Sequence, residues 1–281
     1  MRCLREARQG RWIGAVWLRC VLLHKCCRSH LTFAPIGETQ CLASVSGPIE
    51  VRFAAEQPSK ATFEVNVRPL SLLPGTESKA LAASLRGLLS PSIVLSRNPR
   101  TLIQLVVQSL SPSPAEGFSP SLVAACINAS SLALLNAGSI PMISIVCAAA
   151  VSWLRSATED ASVLVLDPSE VESREGVGHG CFAFAFAAEI SNSQQSPSSP
   201  TARPVWTNWH TMDGVFDEGE FARAQALGLA GAEIVWRAIK ESVPQMDASS
   251  ALPPEALENI TQSDDDFKMS DQESDDVEVE V

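Results

Sequence analysis

Eight cysteines and a run of carboxylates are the first residues in this chain whose types could do chemistry. The cysteines are Cys3, Cys20, Cys26, Cys27, Cys41, Cys126, Cys147 and Cys181. No pair has the C-x-x-C spacing of a zinc or redox motif. Cys20, Cys26, Cys27 and His30 could be drawn together around a zinc ion, but no established ligand spacing supports that, so no metal site and no cofactor are expected. Cys126 and Cys147 sit in apolar text and read as small core side chains. Reduced cysteines suit an intracellular setting. Asp167, Glu170, Glu172 and Glu175 cluster over nine residues. Such a cluster can serve acid–base or metal chemistry, but the spacing is irregular and Asp167-Pro168 is a turn signal. A solvated loop is the preferred reading. In the tail, Ser263, Ser270 and Ser274 each precede acids, which suits acid-directed phosphorylation or a plain solubilising segment.

Charge is unevenly placed along the 281 residues. The formal net charge is -11. Residues 1–30 carry seven bases and one acid, and residues 255–281 carry eleven acids and one base. An acidic chain is a poor stand-alone nucleic-acid binder, because phosphate contacts supply most non-specific affinity. Any nucleic-acid contact would have to come from a local patch or a shared surface. The apolar run 12–23 is broken by Arg19 and lacks a small-residue cleavage site, so it does not read as a signal peptide. The run 122–154 is long enough for a membrane span, but Asn128, Asn136, Gly138 and Pro141 divide it into two buried elements.

The elements that must position these residues follow from periodicity. Strands are predicted over 40–46, 49–53, 61–68, 101–110, 143–151, 162–166, 181–188 and 205–212, with Gly47-Pro48 as a turn. The stretch 102–107 is nearly continuous apolar text, as in a strand buried on both faces. Phe182, Phe184 and Phe186 alternate on one face. Helices are predicted over 77–89 with Thr76 as N-cap, over 120–135 ending at Gly138, and over 217–243. A short strand between turns is read over 91–99. The expected organisation is a basic, Cys-rich, disordered extension over 1–34, one compact α+β domain over 35–245 with a flexible Ser/Gln/Pro-rich insertion at 191–203, and an acidic disordered tail over 246–281.

Three stretches resemble the RNase PH superfamily. One is Ser96-Arg97-Asn98-Pro99-Arg100-Thr101-Leu102-Ile103-Gln104-Leu105-Val106-Val107-Gln108. The second, and more specific, is Asn128-Ala129-Ser130-Ser131-Leu132-Ala133-Leu134-Leu135-Asn136-Ala137-Gly138-Ser139-Ile140-Pro141-Met142. Ser44-Val45-Ser46-Gly47-Pro48-Ile49-Glu50 resembles the family's early strand and turn. The resemblance runs in order over residues 39–243 and is strongest to the RNase PH-like ring subunits of the eukaryotic RNA exosome concerned with ribosomal RNA. It implies an RNase PH-like fold with mixed and antiparallel sheets packed with helices. It also implies a hetero-oligomeric ring with other RNase PH-like subunits and cap subunits, and RNA as a partner, in nucleus, nucleolus and cytoplasm.

The same resemblance implies lost catalysis. Active members carry a G-T-R phosphate clamp just before the small-residue helix, where this chain has Ser119-Pro120-Ser121. They carry an ordered D-x-D-Y-x-E-D segment, where this chain has Asp167 and three scattered glutamates. The expected role is a non-catalytic subunit supporting 3′-to-5′ RNA processing and decay. Lys79, Arg86, Arg97 and Arg100 are the RNA-contact candidates, with a purely structural role as the alternative for Arg97 and Arg100. Two other readings stay open: an active phosphate-dependent exoribonuclease, and a stand-alone interaction protein on the same fold.

Overall fold

A computed structural model of the full chain describes residues 29–36, 39–71, 73–111, 118–155, 162–187, 201–212 and 217–250. The chain divides into two units, Met1–Val243 and Pro244–Val281. In the second, only the helical residues 244–250 are described. Apart from the end of that helix, the fold below is that of the first unit.

Its described strands form two four-stranded sheets. The first contains β1 (Ser29–Ile36), β2 (Thr39–Glu50), β3 (Thr62–Arg68) and β4 (Thr101–Ser109), in the order β1-β2-β4-β3. Only the β3–β4 pairing is parallel. The second contains β5 (Ile145–Arg155), β6 (Ser162–Leu166), β7 (Gly178–Ala187) and β8 (Thr201–Thr211), all antiparallel in the order β6-β5-β7-β8. Four helices complete the described chain: α1 (Thr76–Leu89), α2 (Pro120–Ala137), α3 (Glu170–Glu175) and α4 (Glu218–Ser250).

α2 is the central element. It packs on β1, β2 and β4 of one sheet and on β5 and β7 of the other. A helix between two sheets needs small residues all round, and α2 supplies Ala124, Ala125, Ala129 and Ala133, each wholly buried. It is long and apolar enough to span a membrane, yet 89% of that stretch is buried inside the fold. Its polar side chains hydrogen-bond to neighbouring backbone. Asn128 Nδ2 donates to Ala148 O (2.8 Å) and Asn128 Oδ1 accepts from Ala148 N (2.8 Å). Ser131 Oγ donates to Val146 O at 2.6 Å. Buried polar groups held this way avoid the desolvation cost of an unmade bond. Gly138, with φ 61°, closes the helix in the left-handed conformation.

α4 covers the other face of the second sheet. Two glycines let it approach: a Cβ on Gly231 would lie 2.6 Å from Leu166 Cδ1, and one on Gly228 would lie 3.0 Å from Phe182 Cβ. β7 is therefore sandwiched. Cys181 and Ala183 join the core that contains α2. Phe182 meets Phe221, and Phe186 stacks on Trp236.

Several expectations change. Gly47-Pro48 is not a turn between strands, because β2 runs through it to Glu50 with an irregularity between Ser46 and Ile49. Gly47 has φ 147°, and a Cβ there would meet Leu102 O at 2.8 Å, so only glycine fits. No strand covers 49–53 as such; Phe53–Ala55 is a 3-10 turn. β4 is buried on one face only, with Ile103, Leu105 and Val107 inward and Leu102, Gln104 and Val106 half-buried. Residues 91–99 hold two 3-10 turns and an isolated bridge, Ile93 to Met142, in place of a strand. Gly75, not Thr76, is the N-cap of α1. The extension read over 1–34 overlaps β1, whose residues pair along β2 from Ser29↔Ser46 onward. β8 takes in 201–203 of the expected insertion, and α4 runs to Ser250, past the expected boundary at 245. Residues 191–200, the Cys20, Cys26 and Cys27 positions and the tail from 251 lie outside the described residues.

Candidate nucleic-acid interface

Lys79 and Arg86 lie two turns apart on α1, which places them on one side of the helix. Ala82 and Ala83 stand between them. These four residues, with Ser78, Pro74 and Val65–Val67 of β3, line a groove of about 360 Å³. β3 is the terminal strand of its sheet among the described residues. Among those residues neither cation is in an ion pair; the described pairs are Arg100–Glu56, Arg174–Glu170 and Arg237–Glu233. The groove therefore presents two positive charges, in no ion pair among the described residues, over a mixed floor that includes Val65, Val67, Asn66 and Ser78. That arrangement suits a ligand carrying spaced negative charges.

Arg97 and Arg100 are placed elsewhere. Arg97 ends the 3-10 turn Leu95–Arg97. Arg100 leads into β4 with φ 60°, and its backbone N–H donates to Gln57 O at 3.2 Å. Its guanidinium meets Glu56 at 3.3 Å while 70% exposed. An exposed pair of this kind contributes about 0–1 kcal/mol. The structure thus joins two of the four candidate cations in one groove, and gives Arg100 a role in a turn.

The carboxylate cluster is not a loop. Glu170–Glu175 form α3, with Ser169 as N-cap in a complete capping box: Glu172 N–H reaches Ser169 Oγ, and Glu172 Oε2 accepts from Ser169 N at 2.9 Å. Glu170 pairs with Arg174 at 2.6 Å. Two of the three glutamates are thereby held in local helix structure. The signal, Ser-x-x-Glu at 169–172, is legible in the sequence and is the one that reading these acids as a loop overlooks.

Asp167 stands apart. It leaves β6 with φ 53°, and its N–H donates to Ala150 O at 2.9 Å. Its carboxyl lies by Ser121 in the first turn of α2, whose one hydroxyl proton can go to that carboxyl or to Pro168 O, 2.8 Å from Ser121 Oγ. Burial pushes the Asp167 carboxyl up to about 6; the Ser121 hydrogen bond opposes this and the charge of Glu172 adds to it. The α2 N-terminus itself is capped by Ser119, whose side chain accepts from Leu122 N at 3.2 Å. No basic residue occurs from 118 to 139. One carboxyl beside an uncharged helix start can hold a proton, but these residues supply no positive charge for a transferring phosphoryl group.

Cys41 and Cys126 meet in the core with sulfurs 3.3 Å apart. That contact and burial both raise the Cys41 thiol well above its ordinary value, and burial raises Cys147 and Cys181. All four described cysteines are free and buried, as core packing requires. Among the described residues no group of three or more His, Cys, Asp or Glu is arranged to hold a metal ion.

Comparison with known proteins fits this architecture. Residues 32–139 match the RNase PH description "3′ exoribonuclease family, domain 1". The chain is 36% identical over 124 residues to the exosome complex component rrp46 of Schizosaccharomyces pombe, covering 44% of this chain and 52% of that protein. It is 34% identical over 133 residues to RRP46 of Saccharomyces cerevisiae, covering 47% and 57%. The match thus spans about half the length of these curated relatives. A crystal structure of rice (Oryza sativa) Rrp46 superposes with TM-score 0.62 at 22% identity, over 81% of this chain and 94% of that one. An archaeal exosome core chain superposes with TM-score 0.51 at 15% identity, over 76% and 82%. The chain has the RNase PH-like α+β fold of these structures, and its residues 32–139 are similar to an RNase PH domain.

Proposed function

We propose, from an RNase PH domain whose helix α2 begins Ser119-Pro120-Ser121 with no arginine, that this chain is a non-catalytic subunit of an RNA exosome ring. The observation that carries this is the start of α2, with no basic residue from 118 to 139, beside the carboxyl of Asp167. Phosphorolysis must stabilise charge on a transferring phosphoryl group, and each missing contact of that kind costs about 10²–10³ in rate. The relatives named as exosome components support the assembly. In this reading the chain works with other RNase PH-like subunits and cap subunits. It serves 3′-to-5′ RNA processing, ribosomal RNA maturation and RNA turnover by holding the ring together and guiding RNA, in nucleus, nucleolus and cytoplasm. Lys79 and Arg86 contact the RNA backbone through their groove; Arg97 and Arg100 are secondary candidates, and Glu56 partly neutralises Arg100.

Two measurements test it together: affinity purification of the tagged chain from cells, and phosphate-dependent RNA decay by the isolated chain. Co-purification of other RNase PH-like subunits, with no decay by the chain alone, is expected. Decay that requires inorganic phosphate and survives repurification would overturn the non-catalytic reading. Failure to recover any such subunit would overturn the ring.

A further inference from the structure

His179 on β7 and His210 on β8 stand directly opposite each other in the antiparallel register. Opposed residues share a face of the sheet. Their ring centroids are 6.0 Å apart and the planes are inclined at 58°. His210 is exposed and His179 half-buried, so the pair opens to solvent on one side. His179 Nδ1 is buried and has no hydrogen-bond partner. Neighbouring Trp209 also has an unpartnered indole N–H. It points to the opposite face, against Phe182, and an indole can only donate.

Two imidazoles that share one ion at metal–nitrogen distances of about 2.0–2.1 Å have centroids roughly 5–6 Å apart. The observed spacing is at the upper end of that range. We propose that His179 and His210 form an open two-imidazole site for a borderline transition-metal ion such as Zn²⁺, Ni²⁺ or Cu²⁺. The ion bridges β8, the terminal strand of its sheet among the described residues, to β7. Burial, and then the charge of His210, lower the basicity of His179, which keeps its imidazole in the neutral, ligating form. No third His, Cys, Asp or Glu among the described residues completes the shell, so water takes the remaining positions. Imidazole donors favour these ions over Mg²⁺ or Ca²⁺, which prefer oxygen. The site lies apart from the α1–β3 groove and from Asp167, and does not depend on the exosome reading.

The test uses the untagged full-length chain. Cu²⁺ is added to one equivalent and the bound ion read by electron paramagnetic resonance; Zn²⁺ is added in a parallel thermal melt. The wild type is expected to show two equatorial nitrogens and a Zn²⁺-dependent rise in Tm. His210→Asn and His179→Gln each lose one nitrogen and the Tm rise. The variant His24→Asn/His30→Asn keeps both, which separates this pair from the other histidines, and the loss in His210→Asn, whose acidic tail is intact, separates it from the tail. His210 is exposed, so its substitution leaves folding intact even if His179→Gln does not. An unchanged signature in His210→Asn, or loss of it in His24→Asn/His30→Asn, would overturn the site.

Discussion

Asp167 sits where the chain must turn out of β6, in a left-handed conformation that Asp and Asn tolerate better than other side chains. Its carboxyl titrates at about 6 in the fold against an ordinary 3.8. The folded state therefore holds an extra proton between those values, so stability from this group falls as pH rises from about 4 to 6 and the penalty is complete above that. Asp167→Asn keeps the backbone preference and removes the charge. It is expected to stabilise the protein by about 1–2 kcal/mol at pH 8 relative to its effect at pH 4. Urea unfolding of both proteins at the two pH values checks this; equal differences at both would mean the carboxyl is not strained by burial. Asn128 is the opposite case, a neutral amide with both ends bonded to Ala148. Asn128→Leu leaves a buried N–H and C=O unpaired in β5 and should cost about 2–4 kcal/mol, read from the same unfolding curves.

At the scale of elements, the fold depends on close approach of helices to sheets. α4 lies on the second sheet because Gly228 and Gly231 leave room for Phe182 and Leu166. Gly231→Val would drive methyl groups into Leu166 and Ala149. A loss of about 1–3 kcal/mol is expected, seen as a lowered Tm with an unchanged far-ultraviolet spectrum at low temperature. α3 depends on its capping box. Ser169→Ala should cost about 1 kcal/mol, detected as faster amide exchange in residues 170–175 with smaller effects elsewhere.

For the whole molecule, the proposed function assigns RNA contact to the groove between α1 and β3 and attributes the lack of cleavage to the uncharged start of α2. Lys79→Glu/Arg86→Glu reverses both groove charges on an exposed helix face. Within an assembled ring, the variant is expected to lose RNA crosslinking at this chain while co-purifying the same subunits. The wild-type contact should weaken steeply with salt, as phosphate contacts do. Retained crosslinking would place the RNA path elsewhere.

The sequence by itself determined the repeating pattern of apolar residues and the small-residue helix predicted over 120–135, which the fold extends to Ala137. Those features depend on near neighbours, so they were legible as elements of a mixed helix and strand domain, while the RNase PH-like fold was implied by the family resemblance. The Asn128–Met142 wording, and the absence of an arginine before it, were likewise legible directly. Boundaries were less so. The Gly47-Pro48 pair has turn chemistry, yet pairing with β4 carries β2 through it. The one-sided burial of β4 could not be read from its apolar run, because which face meets α2 depends on partners far away in the chain. The joining of Lys79 and Arg86 with Val65–Val67, the meeting of Asp167 with Ser121, and the opposition of His179 to His210 were decided only by tertiary structure. Each joins residues from different elements, and distance across a fold is set by packing and register rather than by spacing along the chain.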